Sequence, residues 1–483
     1  MKTFFLGFVL SYSSLIHIFE NFLQIFALTL DKCGLLVYNI VGTKRKEAVT
    51  MLINFKFQNC RSFFDETNLS MQATSDKTKS EINTFFVSEN VLPKNENELL
   101  KSSAIFGGNA SGKSNIIKAF AYMVNVIRLS SAQIPIVSGN EFFAFTSNAN
   151  EVPSLYEVEI IQNGIYYRYG FELLQGKVSK EWLYKREERL TKVFERSGSK
   201  LDIMGVSTQA INLIKIPDVT LFLSSGNNFN LPINRYLSDV MVWFANVLIV
   251  FENAANSLDI YTIENGKYKK KALEILKRAD IGITDFTVVK DKVASVTNPQ
   301  DVLNLNTQIQ INPTLLSGQF KAENENLYHI DVRTDFNVYD NDNNVVGTKN
   351  VMLFKENGFN SEGTVRLLCY MGWILAALDQ GRTIFIDEID SKLHFLVADY
   401  IIGMFNSIED NPKNAQLICT AHNVLLMDDG MRRDQIYFTS KDKQGRSSLV
   451  SLADYNGVRK NDLFSKRYLA GFYAALPDLS TFE

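Results

Sequence analysis

Eight consecutive residues carry the clearest chemistry in this sequence: Gly107-Gly108-Asn109-Ala110-Ser111-Gly112-Lys113-Ser114. They fit G-x-x-x-x-G-K-S, the pattern of a loop that holds phosphate oxygens. Glycines let successive backbone N–H groups turn inward around an anion, and a helix starting at the end of the loop adds partial positive charge. The Lys113 ammonium is long enough to reach β- and γ-phosphates, and the Ser114 hydroxyl suits a Mg²⁺ position. A second run, Thr383-Ile384-Phe385-Ile386, ends in Asp387-Glu388. There Asp387 is expected to hold Mg²⁺ through water, and Glu388 to orient and deprotonate an attacking water. Two weaker signals join them. Ser361-Glu362-Gly363-Thr364 opens an apolar helical stretch, Val365 to Leu378, and is either a second phosphate-binding surface or a plain helix cap. Leu417-Ile418-Cys419-Thr420-Ala421-His422 ends in a histidine that can hydrogen-bond a γ-phosphate or the attacking water, or fill a core position.

These groups need a scaffold that brings chain segments hundreds of residues apart to one edge. Ser103 to Phe106 is a short apolar run before the loop, and Asn115 to Ile127 is periodic after it, which predicts strand, loop and helix in succession. The Thr383–Ile386 run reads as a buried central strand of a largely parallel sheet, whose carboxyl end is where ligands sit. An earlier alternation, Leu52 to Phe57, predicts a first strand beginning near Met51, and Tyr156 to Leu173 alternates like strands. Leu231 to Leu258 and Lys269 to Ala279 read as helices, and Leu327 to Phe354 as a hairpin turning at Asp340-Asn341-Asp342-Asn343-Asn344. Asp340 and Asp342 mimic an acidic metal pair, yet a turn calls for Asp and Asn on backbone grounds alone. Lys267-Tyr268-Lys269-Lys270-Lys271 and Lys185-Arg186 can meet a phosphate backbone or simply face solvent. No heptad run marks a long coiled-coil arm.

The order phosphate loop, Ser-x-Gly, Asp-Glu, His resembles the ABC-type ATPase heads, in particular the AAA-annotated, OLD-like and SMC-like ATPases of bacterial phage-defence loci. The likeness covers essentially Met51 to the C-terminus. It includes Asn59-Cys60-Arg61-Ser62-Phe63, Asp387 through His394, Thr420-Ala421-His422-Asn423 and Arg432-Arg433-Asp434-Gln435-Ile436. The closing pattern from Tyr468 to Pro477 looks most like the RloA-type ATPases of abortive infection. The resemblance implies an α/β fold: an ABC-ATPase head, that is a P-loop NTPase with a mixed sheet flanked by helices, carrying a compact α+β insertion between Walker A and the signature motif. It implies ATP and Mg²⁺ as cofactors, Ser361, Gly363 and Thr364 as a signature acting in trans, Asp390 and Ser391 as the D-loop, and His422 as the switch histidine. It sets Arg61 and Ser62 beside the nucleotide. A Q-loop glutamine is not obvious: Gln162 and Gln175 both qualify. Because each signature completes the site of the other head, the resemblance implies a second copy of this chain paired around two ATP molecules.

Composition bounds the rest. The chain has 483 residues, 46% hydrophobic and 21% charged, with a net charge of −3. This excludes disordered and disulfide-stapled classes and makes any nucleic-acid contact a local matter. Cys33, Cys60, Cys369 and Cys419 form no C-x-x-C pair, and His17, His329, His394 and His422 are never spaced as helical metal ligands, which argues against a zinc hydrolase. Residues 1–50 form an apolar leader, read as a mis-assigned start, a membrane-associated helix or a docked helix; Glu20 and several polar residues argue against stable membrane insertion. The expected divisions after it are 51–175 with Walker A, 176–355 as the insertion, and 356–483 with signature, Walker B and histidine. Only 61 residues follow His422, too few for a Toprim nuclease of roughly a hundred. The expectation is a cytoplasmic ATPase that controls a separate effector, such as a Toprim-type nuclease or toxin. The competing readings are a RecF- or SMC-like repair ATPase on duplex DNA and a nucleotide-gated scaffold with little turnover.

Overall fold

The protein's structure, a computed structural model, describes residues 50–132, 136–251, 266–279, 281–295, 319–323, 326–354, 360–428, 430–459 and 462–473. Residues 1–49 of the expected 1–50 leader and the end of the closing pattern beyond 473 lie outside them. The chain divides into two compact units. Of the described residues, those within 48–255 and 373–483 form the larger and those within 256–372 the smaller.

The larger unit is built on two sheets. Its six-stranded sheet runs in the order Leu248–Val250, Thr383–Ile386, Gln416–Thr420, Ser102–Gly107, Ile436–Lys441, Ser447–Ser451. The first five are parallel neighbours and the last pairs antiparallel. Thr383–Ile386 and Gln416–Thr420 are buried throughout, so their continuous apolar runs are what a sheet covered on both faces requires. The strand ending at the phosphate loop and the strand ending at Asp387 are separated only by the one leading to His422, so three chemically marked segments leave the sheet at one edge.

A seven-stranded antiparallel sheet forms the second layer. Its order is Lys200–Ile203, Leu190–Ser197, Lys177–Arg186, Ile165–Leu174, Ser154–Gln162, Thr50–Gln58, Thr67–Ser70. The chain between 176 and 203 thus continues the sheet begun by the first strand. Helix Lys113–Leu129 joins the two layers. Its residues Ile116, Ile117, Phe120, Met123, Val124 and Ile127 are buried, at spacings that make one apolar face. Phe120 stacks on Phe385 of the six-stranded sheet at 4.0 Å and meets Phe55 of the other sheet edge-on at 5.1 Å. Burying a side chain of this size contributes about 2–3 kcal/mol. A polar stitch reinforces the join: buried Gln416 accepts from Leu52 N at 2.7 Å and donates to Leu52 O at 3.0 Å and Leu100 O at 3.1 Å. Its amide completes backbone groups that would otherwise be unpaired.

The stretch Leu231–Leu258 is not one helix. A helix spans Asn234–Asn246, and Leu248–Val250 becomes the outer strand beside Thr383–Ile386; residues 252–258 lie outside the described ones. The apolar run after Asn246 continues a helical periodicity in sequence, but its backbone hydrogen bonds are taken by a neighbouring strand.

In the smaller unit, helix Gly266–Arg278 precedes a four-stranded sheet. The long strand Asn326–Tyr339 pairs with Ile283–Ser295 along one side and with Gln319–Glu323 and then Val345–Met352 along the other. Asp340 Oδ1 accepts from Asp342 N at 2.9 Å and Asn344 N at 2.8 Å. Its carboxylate closes the turn, as the backbone reading of this segment expects. Among the described residues no helix is long and apolar enough to cross a membrane.

Candidate nucleotide site

The phosphate loop begins where the Ser102–Gly107 strand ends and closes where helix Lys113–Leu129 starts. Two glycines are dictated by space as well as by conformation. A Cβ on Gly107 would lie 2.4 Å from Thr439 Oγ1, and one on Gly112, at φ +117°, would lie 2.6 Å from Ser447 Oγ. The loop is held from outside by hydroxyls: Ser111 Oγ and Thr439 Oγ1 share a hydrogen bond of 2.6 Å, and Ser447 Oγ donates to Ser111 O at 2.7 Å. Lys113 curls onto its own loop, with Nζ 2.9 Å from Gly107 O and 3.2 Å from Gly108 O. Burial pulls its pKa below the ordinary lysine value, against the opposing pull of the Glu388, Asp390 and Asp387 carboxylates.

Asp387 and Glu388 follow the buried Thr383–Ile386 strand. Thr420, at the end of the next strand and fully buried, braces both. Its hydroxyl donates to Asp387 Oδ1 at 2.7 Å and accepts from Glu388 N at 2.7 Å. Glu388 is left-handed at φ 54°, a conformation that a long side chain adopts only under constraint. His422 Nε2 lies 3.4 Å from Glu388 Oε1. Asp390 holds the histidine's loop from below, accepting from His422 N at 2.9 Å and Asn423 N at 2.5 Å.

Asn109 to Asn115, Glu388, His422 and Lys441 line one cleft of about 530 Å³. The structure therefore brings the phosphate loop, Glu388 and His422 together from segments far apart in the chain. Asp390 and Ser391 follow Glu388 in a turn, with Ser391 N bonding Glu388 O at 3.0 Å. Arg61 and Ser62 are not among the lining residues. Arg61 is ion-paired with Glu141 at 2.7 Å, and buried Ser62 Oγ accepts from Asn115 Nδ2 and shares a hydrogen bond with Ser447 Oγ, each at 2.8 Å, tying the first strand's exit to the head of the helix. Ser361, Gly363 and Thr364 belong to the smaller unit. There Ser361 Oγ accepts from Thr364 N at 3.1 Å, the geometry of a helix cap, at the start of helix Glu362–Gln380.

Sequence reasoning gave no role to Asn115, Thr439, Lys441 or Ser447, and did not see Thr420 as a brace. The lysine follows an apolar strand in an unmarked hairpin, and hydroxyl-to-hydroxyl contacts across hundreds of residues leave no local pattern.

The residues present fit a Mg-nucleoside triphosphate. The glycine cradle is one that any Cβ would fill, the Lys113 ammonium is offered to carbonyl oxygens that phosphate oxygens can replace, and Asp387 is oriented by a buried hydroxyl. Among the described residues no group of three His, Cys, Asp or Glu side chains is poised to hold a metal alone.

A parallel sheet with a phosphate loop at its carboxyl edge, a helix rising from the loop and a paired Asp-Glu two strands away define a P-loop ATPase domain. Residues 102–428, more than half of the chain, match the model of the family described as "AAA domain, putative AbiEii toxin, Type IV TA system". The chain belongs to that family, one of AAA-type ATPases of abortive-infection and toxin–antitoxin systems. No curated protein sequence matches it significantly.

Proposed function

We propose that this protein is a Mg-ATP-dependent ATPase of the ABC type, akin to the RloA-like and OLD-like proteins. In this reading two copies close head to tail around two ATP molecules, and the cycle controls a separate cytoplasmic effector, a nuclease or toxin, in defence against phage. The observation that carries the reading is the shared cleft, with Lys113 among the loop amides, Glu388 in its constrained pose, and His422 within 3.4 Å of the Glu388 carboxylate.

Each residue then has a task. Gly107 to Ser114 wrap the phosphates with backbone N–H groups, and Lys113 leaves its own carbonyls for the β- and γ-phosphate oxygens. Bound at Ser114 and Asp387, Mg²⁺ supplies charge neutralisation on the phosphates. Glu388 accepts the proton of the attacking water, and His422 keeps that water and the carboxylate aligned. Asp390 and Ser391 hold the turn that carries Glu388, while Arg61 and Ser62 anchor the wall beside the loop. Ser361, Gly363 and Thr364 reach the γ-phosphate held by the other copy, completing each site in trans.

Mixing two defective chains tests the trans arrangement. Ser361→Arg and Lys113→Ala should each be inactive, yet a mixed pair contains one site with both lesions and one with neither, so turnover should partly recover. Sedimentation of Glu388→Gln with Mg-ATP should show a dimer that Lys113→Ala does not form. Normal hydrolysis by Ser361→Arg alone would refute the trans role.

A further inference from the structure

We propose that Lys441 is a second phosphate-binding cation of this cleft, contacting the α- and β-phosphates of the nucleotide on the side away from Glu388. The inference rests on the nucleotide reading above and extends it to a residue that no motif marks.

Lys441 ends the strand Ile436–Lys441, the parallel neighbour of the strand that runs into the phosphate loop, with Thr439 opposite Gly107. The strand leading to His422 is the neighbour on the other side. The cleft therefore has two unlike walls. One carries Glu388 and His422, the groups suited to the γ-phosphate and the attacking water, and the other carries Lys441. A triphosphate lying along the loop with its γ end toward Glu388 turns its nucleoside end toward Lys441.

The lysine's backbone is fixed for this task. Its hairpin is bolted to the loop at Thr439 and Ser447, and Ser447 N also donates to Ser62 O at 2.7 Å. The side chain is exposed and makes no hydrogen bond or ion pair with any described residue. The carboxylate next in sequence makes no ion pair with it: Asp442 Oδ1 closes the hairpin turn by accepting from Gln444 N at 2.9 Å and Arg446 N at 2.8 Å. Lys113 is engaged by loop carbonyls, so Lys441 is the cleft's cation without a protein partner among the described residues. A charge-assisted bond to a phosphate oxygen is the interaction it is built to make.

Calorimetric titration of the full chain with Mg-ADP and with a non-hydrolysable Mg-ATP analogue tests this. Lys441→Ala and the polar, uncharged Lys441→Gln should each weaken both ligands by about tenfold, a typical loss for one charge-assisted contact. Lys441→Arg should stay within about threefold of the wild type. Unchanged ADP affinity in the Ala and Gln variants overturns the assignment, even where the analogue weakens, because a contact to the γ-phosphate alone spares ADP. Lys113→Ala separates the two levels of the argument. Loss of binding there with no loss at Lys441 removes only this inference, whereas wild-type binding by Lys113→Ala removes the nucleotide reading itself.

Discussion

Replacing Thr420 with valine should disable catalysis without touching a residue that contacts phosphate. The two side chains have nearly the same shape, so the change deletes one hydroxyl and little else. That hydroxyl makes two bonds of 2.7 Å in a fully buried position, one to the Asp387 carboxylate and one from the Glu388 backbone N–H. Losing a bond to a buried charged acceptor costs about 1.5–3 kcal/mol, and stranding a buried N–H costs about 1–3 kcal/mol. The added methyl returns roughly 0.8 kcal/mol, so the net loss should be about 2–5 kcal/mol, visible as a lower urea midpoint. Function should suffer for a separate reason. Glu388 sits at φ 54°, a pose costing roughly 1–3 kcal/mol that the surrounding bonds must maintain. Without its acceptor the carboxylate samples other directions, and turnover should fall at least tenfold. Lys113 and the loop amides are untouched, so ATP affinity should stay within about threefold. Thr420→Ser keeps the oxygen and should retain most activity. Thr420→Val with wild-type turnover and an unchanged urea midpoint would refute the claim that this hydroxyl organises the Asp-Glu pair.

Three further expectations concern single positions. Gly112→Ala should abolish measurable ATP binding, because its Cβ would sit 2.6 Å from Ser447 Oγ at φ +117°; isothermal titration checks it. Arg432→Ala should lower stability to urea by about 3–5 kcal/mol, since it strands a buried Asp434 carboxylate that Arg432 now pairs at 2.7 Å; Asp434→Ala should do much the same. Asp76 is partly buried, which would raise its pKa, but hydrogen bonds from Thr78 and the Arg433 guanidinium outweigh this and hold it near 2, against 3.8 in the unfolded chain. Its contribution of roughly 2 kcal/mol is present above pH 3.8 and lost as pH falls toward 2, so Asp76→Asn should flatten the acid limb of a stability-versus-pH curve.

What could be read from sequence was local. Gly107 to Ser114 and the strand-to-helix context around them are contiguous, and each residue type has a backbone or charge reason to be there. The Asp387-Glu388 pair was legible because a run of four residues too apolar for any surface ends in two carboxylates. The Asp340 turn was legible for the same reason, as Asp and Asn at such spacing serve the backbone. Long-range polar contacts were not. Gln416, which sews the two sheets together through Leu52 and also donates to Leu100 O, is one ordinary glutamine in sequence. The Ser62–Ser447–Asn115 contacts join three residues with no shared pattern. The Leu248–Val250 strand was hidden because a short apolar run after a helix fits either period until its neighbours are known.

The central claim is that this cleft binds ATP through Lys113 and hydrolyses it through Glu388, and those two steps can be separated in one experiment. Wild type, Lys113→Ala and Glu388→Gln are compared for Mg-ATP binding and for phosphate release. The account predicts that the wild type binds and releases phosphate, Lys113→Ala does neither, and Glu388→Gln binds ATP at least as tightly as the wild type while phosphate release falls by two orders of magnitude or more, about the contribution of a positioned general base. Phosphate release by Glu388→Gln at the wild-type rate, or wild-type ATP affinity in Lys113→Ala, would contradict it.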